Sequence, residues 1–210
     1  MGEMIFRRAT LDDLDEVVRV IEEGRAALAA LGLDQWQNGS PTRDELRSNI
    51  QTQITYVAVI DENDTVPSGV KDSLKSIVPL EPGSIVGTLA FIDMGEPNYA
   101  DPEVGAWLND SPSTSEEAKE TGRPVSFAVL HRVATSAAAV RRGVASFMLQ
   151  QSAQLARERG LKSLRADTHE GNAPMQRTFE KFGMTRCCEI ELRFNSNELT
   201  RKRIGYEVIL

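Results

Sequence analysis

Three groups of residues in this chain have the types and spacing that chemistry needs. The first is Val140-Arg141-Arg142-Gly143-Val144-Ala145-Ser146, a basic turn between an apolar run and a segment of helical period. The first N–H groups of a helix lack intrahelical acceptors, and the macrodipole puts roughly +0.5 charge there. Such a turn can hold a phosphate: Gly143 admits close approach to the backbone, Arg141 and Arg142 add charge, and Ala145 and Ser146 are small. An ordinary strand–helix junction with a surface arginine pair would read the same way. The turn is neither a Walker loop, since no Gly-Lys-Ser/Thr follows, nor a dinucleotide fingerprint, since only one of the three glycines is present. The second group is Asp167-Thr168-His169, where strand alternation puts the carboxylate and the imidazole on one face. Their unperturbed pKa values are about 3.9 and 6.5, so either could take a proton, Asp167 only with burial or a relaying water and His169 unaided. An ion pair with Arg165 or a helix cap would equally account for Asp167, and His131, inside an apolar run, reads as a hydrogen-bonded core histidine. The third group is Trp36-Gln37 in the polar stretch Asp34 to Gly39. An indole offers area and one donor there, as a recognition surface or as a staple between two helices.

The surrounding pattern says which elements position these groups. Val125 to Val133 is rich in β-branched and aromatic residues and predicts a buried strand. Beyond a loop at Thr135 to Val140 the period becomes helical. Val144, Met148, Ser152 and Leu155 line one arc with Ala145, Leu149 and Ala156 beside it, while Gln150, Gln154, Arg157 and Glu158 lie opposite. Phe147 falls on the outer side of that wheel. Leu161 to Thr168 is a second strand, parallel to the first, because a single-helix crossover keeps both in one sheet with right-handed connection. Asn172 as N-cap, Pro174 in the first turn and Gly183 as stop bound a further helix that buries Met175, Phe179 and Phe182. Two strands follow, Arg186 to Phe194 and Arg203 to Ile209.

Towards the N-terminus, Met4 to Ala9 predicts a short strand. Thr10 with Asp13 forms a capping box for a helix burying Leu14, Val17, Val18, Ile21 and Leu28, stopped by Gly32. A second capping box, Thr42 with Glu45, opens a helix that buries Leu46 and Ile50. Ile54 to Ile60 and Ser84 to Ile92 read as antiparallel neighbours. Between and after them lie two insertions, about 61–83 and 93–124. Residues 110–123 have the composition of a disordered segment. Tyr99 and Trp107 instead suggest that residues 97–108 pack on something, as a lid over an acceptor would.

Composition bounds the class. The 210 residues are 40% hydrophobic, enough for one sizeable core, and the net charge of −7 argues against a nucleic-acid partner and favours a cationic one. No apolar stretch approaches the ~20 residues of a membrane span, and Met1-Gly2-Glu3-Met4 opens no signal pattern, so the expected location is cytoplasmic. Cys187 and Cys188 are adjacent and lack metal-ligand spacing, so neither an ordinary disulfide nor a metal site is expected.

Two motifs resemble one family. Val140 to Ala145 is similar to the Gln/Arg-x-x-Gly-x-Gly/Ala pyrophosphate loop of the GNAT superfamily of acyl-CoA-dependent N-acetyltransferases, with Val140 in the first position. The preceding LHRVATS resembles that family's fourth strand, whose splayed end holds the pantetheine arm. Residues 172–184 resemble its Asn-x-x-Ala-x-x-Leu-Tyr-Glu-Lys-x-Gly-Phe signature. Asn172, Glu180, Lys181 and Gly183 fit, Met175 and Met184 are apolar substitutes, and Phe179 stands where many members carry Tyr. The resemblance implies an α/β (α+β) fold: a mixed, mostly antiparallel twisted sheet with a splayed parallel strand pair and helices on both faces. It implies one acetyltransferase domain over residues 1–210, with acetyl-CoA as acyl donor and no metal. Val133, Ala134, Thr135, Arg141, Arg142, Gly143, Val144, Ala145, Ser146, Asn172 and Phe179 would bind the cofactor. Trp36, Gln37 and Tyr99 would bind the acceptor, and Asp167 occupies the place where some members carry a catalytic Glu.

The reaction implied is direct acetyl transfer to an amine, a small molecule or a peptide N-terminus. It needs a base because an ammonium is no nucleophile. It also needs an oxyanion donor, for which backbone N–H near Val133 or Ala134 is suited, and a proton for the departing thiolate. Phe179 cannot donate that proton. A non-catalytic acyl-CoA-binding module contacting a protein partner, and a binder of nucleotide phosphates, are the competing readings. An exposed C-terminal strand would support a homodimer.

Overall fold

A computed structural model describes residues 4–61, 80–194 and 199–210. Among these residues eight strands form one sheet: β1 (Met4–Arg8), β2 (Thr55–Ile60), β3 (Ile85–Ile92), β4 (Val104–Gly105), β5 (Phe127–Thr135), β6 (Ser163–Thr168), β7 (Thr185–Glu191) and β8 (Lys202–Ile209). Their spatial order is β1-β2-β3-β5-β6-β8-β7-β4. Every neighbouring pair is antiparallel except β5 and β6. The helices are α1 (Leu14–Ala30), α2 (Arg43–Gln51), α3 (Ser115–Thr121), α4 (Val144–Glu158) and α5 (Ala173–Phe182).

The predicted caps hold α1 and α2 in place. The Thr10 amide donates to Asp13 at 2.7 Å, and Glu45 and Thr42 exchange hydrogen bonds across the start of α2. On one face of the sheet, Leu14, Val17, Val20 and Ile21 of α1 and Leu46 and Ile50 of α2 pack on Val57, Val59 and Ile85. On the other, Val144, Met148 and Leu149 of α4 and Phe179 of α5 pack on Ala58, Val86, Leu130 and Leu164. Gly87 on β3 makes the second packing possible, because a Cβ there would lie 2.8 Å from Val144 Cγ1 and 2.9 Å from Met148 Sδ. Phe147, outside the predicted stripe, meets the edge of Phe6 with ring centroids 6.5 Å apart.

Two expectations are corrected, and one falls on residues that are not described. Much of the first insertion, residues 62–79, lies outside the described residues. Residues 110–123 are not a structureless segment: Thr114 caps α3 by accepting from the Glu117 amide at 3.1 Å. The rest of that insertion is tied into the sheet, with β4 paired to β7 and Tyr99 buried against Phe127, Val129 and Ile190. The tie is a charge pair of Arg165, which the sequence pattern offers as a partner for Asp167 and the structure pairs with Glu207 instead. Arg165 on β6 faces Glu207 on β8 at 2.9 Å, and both are buried. The Leu108 and Asn109 amides donate to Glu207, Arg165 donates to the Asn109 carbonyl, and its guanidinium stacks on Trp107 and Phe127. One buried ion pair thus satisfies the backbone groups of Leu108 and Asn109, just before the stretch whose composition reads as disordered. Lastly, β8 is interior, paired with both β6 and β7, so it presents no free edge for a second copy.

Candidate functional site

The parallel pair makes the site. β5 and β6 are in register only from Phe127 with Ser163 to Leu130 with Ala166. Beyond that they diverge, so the β5 edge from His131 to Thr135 faces a cleft instead of a strand. The cleft encloses about 1190 Å³ and runs from the N-terminus of α4 to the loop between α1 and α2.

At one end the cleft is lined by Val133, Ala134, Thr135, Arg141, Gly143, Val144, Ala145 and Ser146, with Asn172 and Phe179 from α5. Gly143 has φ 78° and Arg141 φ 63°, a tight left-handed turn that aims the first amides of α4 at the opening. The Phe147 amide already reaches the Gly143 carbonyl at 2.9 Å, so the amides of Val144 to Ser146 have no acceptor within the helix. A glycine without Cβ and three unsatisfied donors fit a pyrophosphate, and the unpaired β5 edge fits the amide groups of a pantetheine arm. Arg142 is not among the lining residues. Asn172 caps α5 through the Met175 amide at 3.3 Å. Phe179 is 1% exposed and packs on Tyr206, with centroids 5.3 Å apart, so it is a floor under the cleft.

At the other end the side chains matter more. His131 Nε2 lies 2.9 Å from Glu96 Oε2, and Nδ1 lies 3.9 Å from Asp167 Oδ1. Glu96 as a carboxylate only accepts, so in the neutral ring Nε2 carries the hydrogen and Nδ1 keeps its lone pair. Burial alone would depress the His131 pKa, but the hydrogen bond to Glu96 and the charges of Glu96 and Asp167 outweigh it and raise the pKa. For Glu96, burial works upward, and the His131 hydrogen bond and charge, with two donors from Asn98, hold the carboxyl below its usual range. Asp167 accepts from the buried Tyr99 hydroxyl at 2.7 Å and lies 3.8 Å from Arg203 Nε. Burial and the adjacent carboxylates push the Tyr99 pKa well up, so it stays a donor.

The predicted site residues divide. Asp167 lines the cleft. His169 does not: it sits past the end of β6, where strand alternation no longer applies, and its Nδ1 accepts the Gly171 amide at 2.9 Å. Its Nε2 lies 3.6 Å from Asp34. Trp36 lines the cleft and also staples, since its ring lies where a Cβ on Gly24 of α1 would be 3.1 Å away. The Gln37 side chain instead fastens the loop, donating to the carbonyls of Arg25 and Gln35. Tyr99 is fully buried behind Asp167. The sequence pattern points to neither Glu96 nor Arg203, and it makes His131 a core histidine. The only signal was a histidine at the end of an apolar run where a parallel pair must open.

Among the described residues no helix is long and apolar enough to cross a membrane, and no cluster of His, Cys, Asp or Glu could hold a metal ion. Residues 60–184 match the model of the acetyltransferase (GNAT) family, more than half of the chain. A GNAT-family acetyltransferase from Streptococcus agalactiae 2603 is 26% identical, with TM-score 0.70, covering 100% of this chain and 98% of that one. An N-acetyltransferase from Staphylococcus aureus Mu50 is 16% identical, with TM-score 0.58 and 99% of each chain covered. A GNAT-family acetyltransferase from Listeria monocytogenes 4b F2365 is 13% identical, with TM-score 0.59, covering 100% of this chain and 96% of that one. None of the curated proteins matches.

Proposed function

Because this chain belongs to the acetyltransferase (GNAT) family, we propose that it moves the acetyl group of acetyl-CoA directly to a primary amine, with His131 as the base. The observation that carries this reading is the placement of His131 between Glu96 and Asp167, beside the unpaired β5 edge and in the same cleft as the Gly143 turn. Acetyl-CoA supplies an activated thioester. The α4 amides and Arg141 hold its phosphates, and the β5 edge holds its arm, with a backbone N–H near Val133 or Ala134 polarising the carbonyl.

The incoming ammonium loses a proton to His131 Nδ1. Glu96 fixes the tautomer, and Asp167 faces the imidazolium that forms. The amine nitrogen then bonds to the thioester carbon, and the carbon–sulfur bond breaks as the tetrahedral intermediate collapses. The nitrogen's remaining excess proton leaves with the thiolate, so free CoA and an amide result. Phe179 has no hydroxyl to mediate that last transfer, and a thiol of modest pKa leaves without one. A cytoplasmic location goes with this reading, since Cys187 and Cys188 are free thiols.

The absence of a hydroxyl at Phe179 favours one second reading, a non-catalytic acyl-CoA-binding module with a protein partner. Release of free CoA from acetyl-CoA, measured across a panel of primary amines and peptides, separates the two. The proposed enzyme releases CoA only when an amine is present. A protein that binds acetyl-CoA and releases none with any amine overturns the proposal.

A further inference from the structure

Arg132 has no place in the chemistry just described, yet the fold goes out of its way to position it. His131 pairs with Ala90 and Ala134 with Thr88, so two residues of β5, Arg132 and Val133, lie opposite the single Leu89. Arg132 has φ 56°, a conformation that a non-glycine residue adopts at a cost. Such a bulge re-aims a side chain and is found beside active sites. Here its effect is to break alternation. Val133 packs into the core beneath α4 and α5, whereas Arg132 faces Glu45 of α2 across the opposite side. Arg132 therefore shares the face of its neighbour His131, and both line the acceptor end of the cleft with Trp36, Ser40 and Asn49.

The Arg132 side chain makes no hydrogen bond to any described residue. Glu45 contributes only its field: its Oε2 accepts from the Thr42 amide at 2.5 Å and the Ser40 hydroxyl at 3.2 Å, and it makes neither a hydrogen bond nor an ion pair with Arg132. Burial lowers the guanidinium pKa, and the Glu45 charge offsets this only in part. Five donors in a planar fork, half-buried and unengaged, match a carboxylate. Nothing in the acetyl transfer itself calls for a second cation beside the base.

We infer that the acceptor is a free amino acid, whose carboxylate is held by Arg132 while its amine is presented to His131. Consecutive Cα atoms lie ~3.8 Å apart, so two side chains projecting from adjacent positions on one face suit a compact α-amino acid. This rests on the acetyltransferase reading and adds the chemical class of the acceptor.

The test compares each α-amino acid with its own α-carboxamide, which keeps the amine and side chain and removes the negative charge. CoA release is measured at fixed, saturating acetyl-CoA. The expected kcat/KM for the best acid exceeds that of its amide by about 10–100-fold. In Arg132→Gln this acid-to-amide ratio collapses towards one, chiefly through KM for the acid, and Arg132→Lys restores part of it. A purely structural role for Arg132 would lower both substrates together and leave the ratio intact, which overturns the inference. Amides or decarboxylated amines that serve as well as the acids also overturn it, while leaving the acetyltransferase reading standing. If no amine supports turnover, that reading fails, and calorimetry of amino acids against the wild type and Arg132→Gln decides this inference alone. Binding lost in the variant upholds it, and no binding to either overturns it.

Discussion

The two ends of the cleft are built on different principles. The end formed by the Gly143 turn, α4 and α5 comes from one continuous stretch, residues 133–179, and works mainly through backbone: amides, a left-handed turn and an open strand edge. The end around His131 gathers side chains that are far apart in the chain. Glu96 lies 35 residues from His131, and Tyr99 lies 68 from Asp167. A backbone site tolerates many residue types and demands only local geometry. A side-chain site demands particular residues and a fold that carries them together.

That difference can be broken deliberately. The largest effect should come from His131→Gln, which keeps size and polarity but removes the base. Turnover is expected to fall by about 10²–10⁴-fold, the usual worth of a positioned general base. Acetyl-CoA affinity by calorimetry should stay near that of the parent. A variant that keeps its rate would remove His131 from the chemistry and return the role to Asp167.

Arg165→Met should come next, as a loss of stability. It leaves the Glu207 carboxylate buried with no cation, and such half-pairs cost about 3–5 kcal/mol. Urea unfolding measures that loss. Because Glu207 also holds the Leu108 and Asn109 amides, the insertion carrying Glu96 and Tyr99 should loosen first, seen as faster amide exchange over residues 96–110. Uniform exchange along the chain would mean that the pair is no anchor for this segment.

Gly143→Glu attacks the other end. A side chain at φ 78° strains the turn, and its carboxylate occupies the place of a phosphate. Acetyl-CoA affinity should fall by about 10–150-fold, the equivalent of one charge-assisted hydrogen bond at ~1.5–3 kcal/mol. Melting temperature reports whether the fold is kept. Unchanged affinity would displace the phosphate from this turn.

The same division decides what could be read from sequence. The capping boxes at Thr10 and Thr42, the strand–turn–helix at 125–160 and the stop at Gly183 are local signals, and each was legible because its partners lie within a few residues. His169 was misplaced because alternation was extended one residue past the end of β6, into a turn where it has no force. Glu96 was illegible because its partner is set by the register of β3 against β5. The acidic stretch at 110–123 looked disordered because its composition does not reveal its distant partners: the Ser113 carbonyl accepts from the Glu96 amide, its hydroxyl donates to the Tyr99 carbonyl, and the Ser111 hydroxyl accepts from the Ser126 amide. Arg132 was hidden by a bulge, which changes the face of a side chain without changing the pattern of residues.

The smallest predicted effect concerns Glu96→Gln and is the sharpest test of how the side-chain end works. The amide still accepts from His131 Nε2, so the imidazole stays in place and only the charge is lost. Glu96 is among the groups that raise the His131 pKa against the opposing pull of burial, so its neutralisation lowers that pKa. The base is active when unprotonated, and the ascending limb of turnover against pH therefore moves to lower pH. A weaker base also lowers the plateau, by about tenfold or less. Stability carries an independent signature of opposite sign at the two ends of the pH scale. The raised His131 pKa gives stability that is fully present below the unfolded value of ~6.5 and is lost as pH rises through the folded value. The lowered Glu96 pKa gives stability that is fully present above its unfolded value of ~4.3 and is lost as pH falls through the folded value. The difference in melting temperature between parent and variant should thus be greatest between about pH 4.3 and 6.5, and shrink on either side. An ascending limb that stays where it was, with a melting difference independent of pH, would mean that Glu96 merely packs against the ring and that the proton is taken elsewhere.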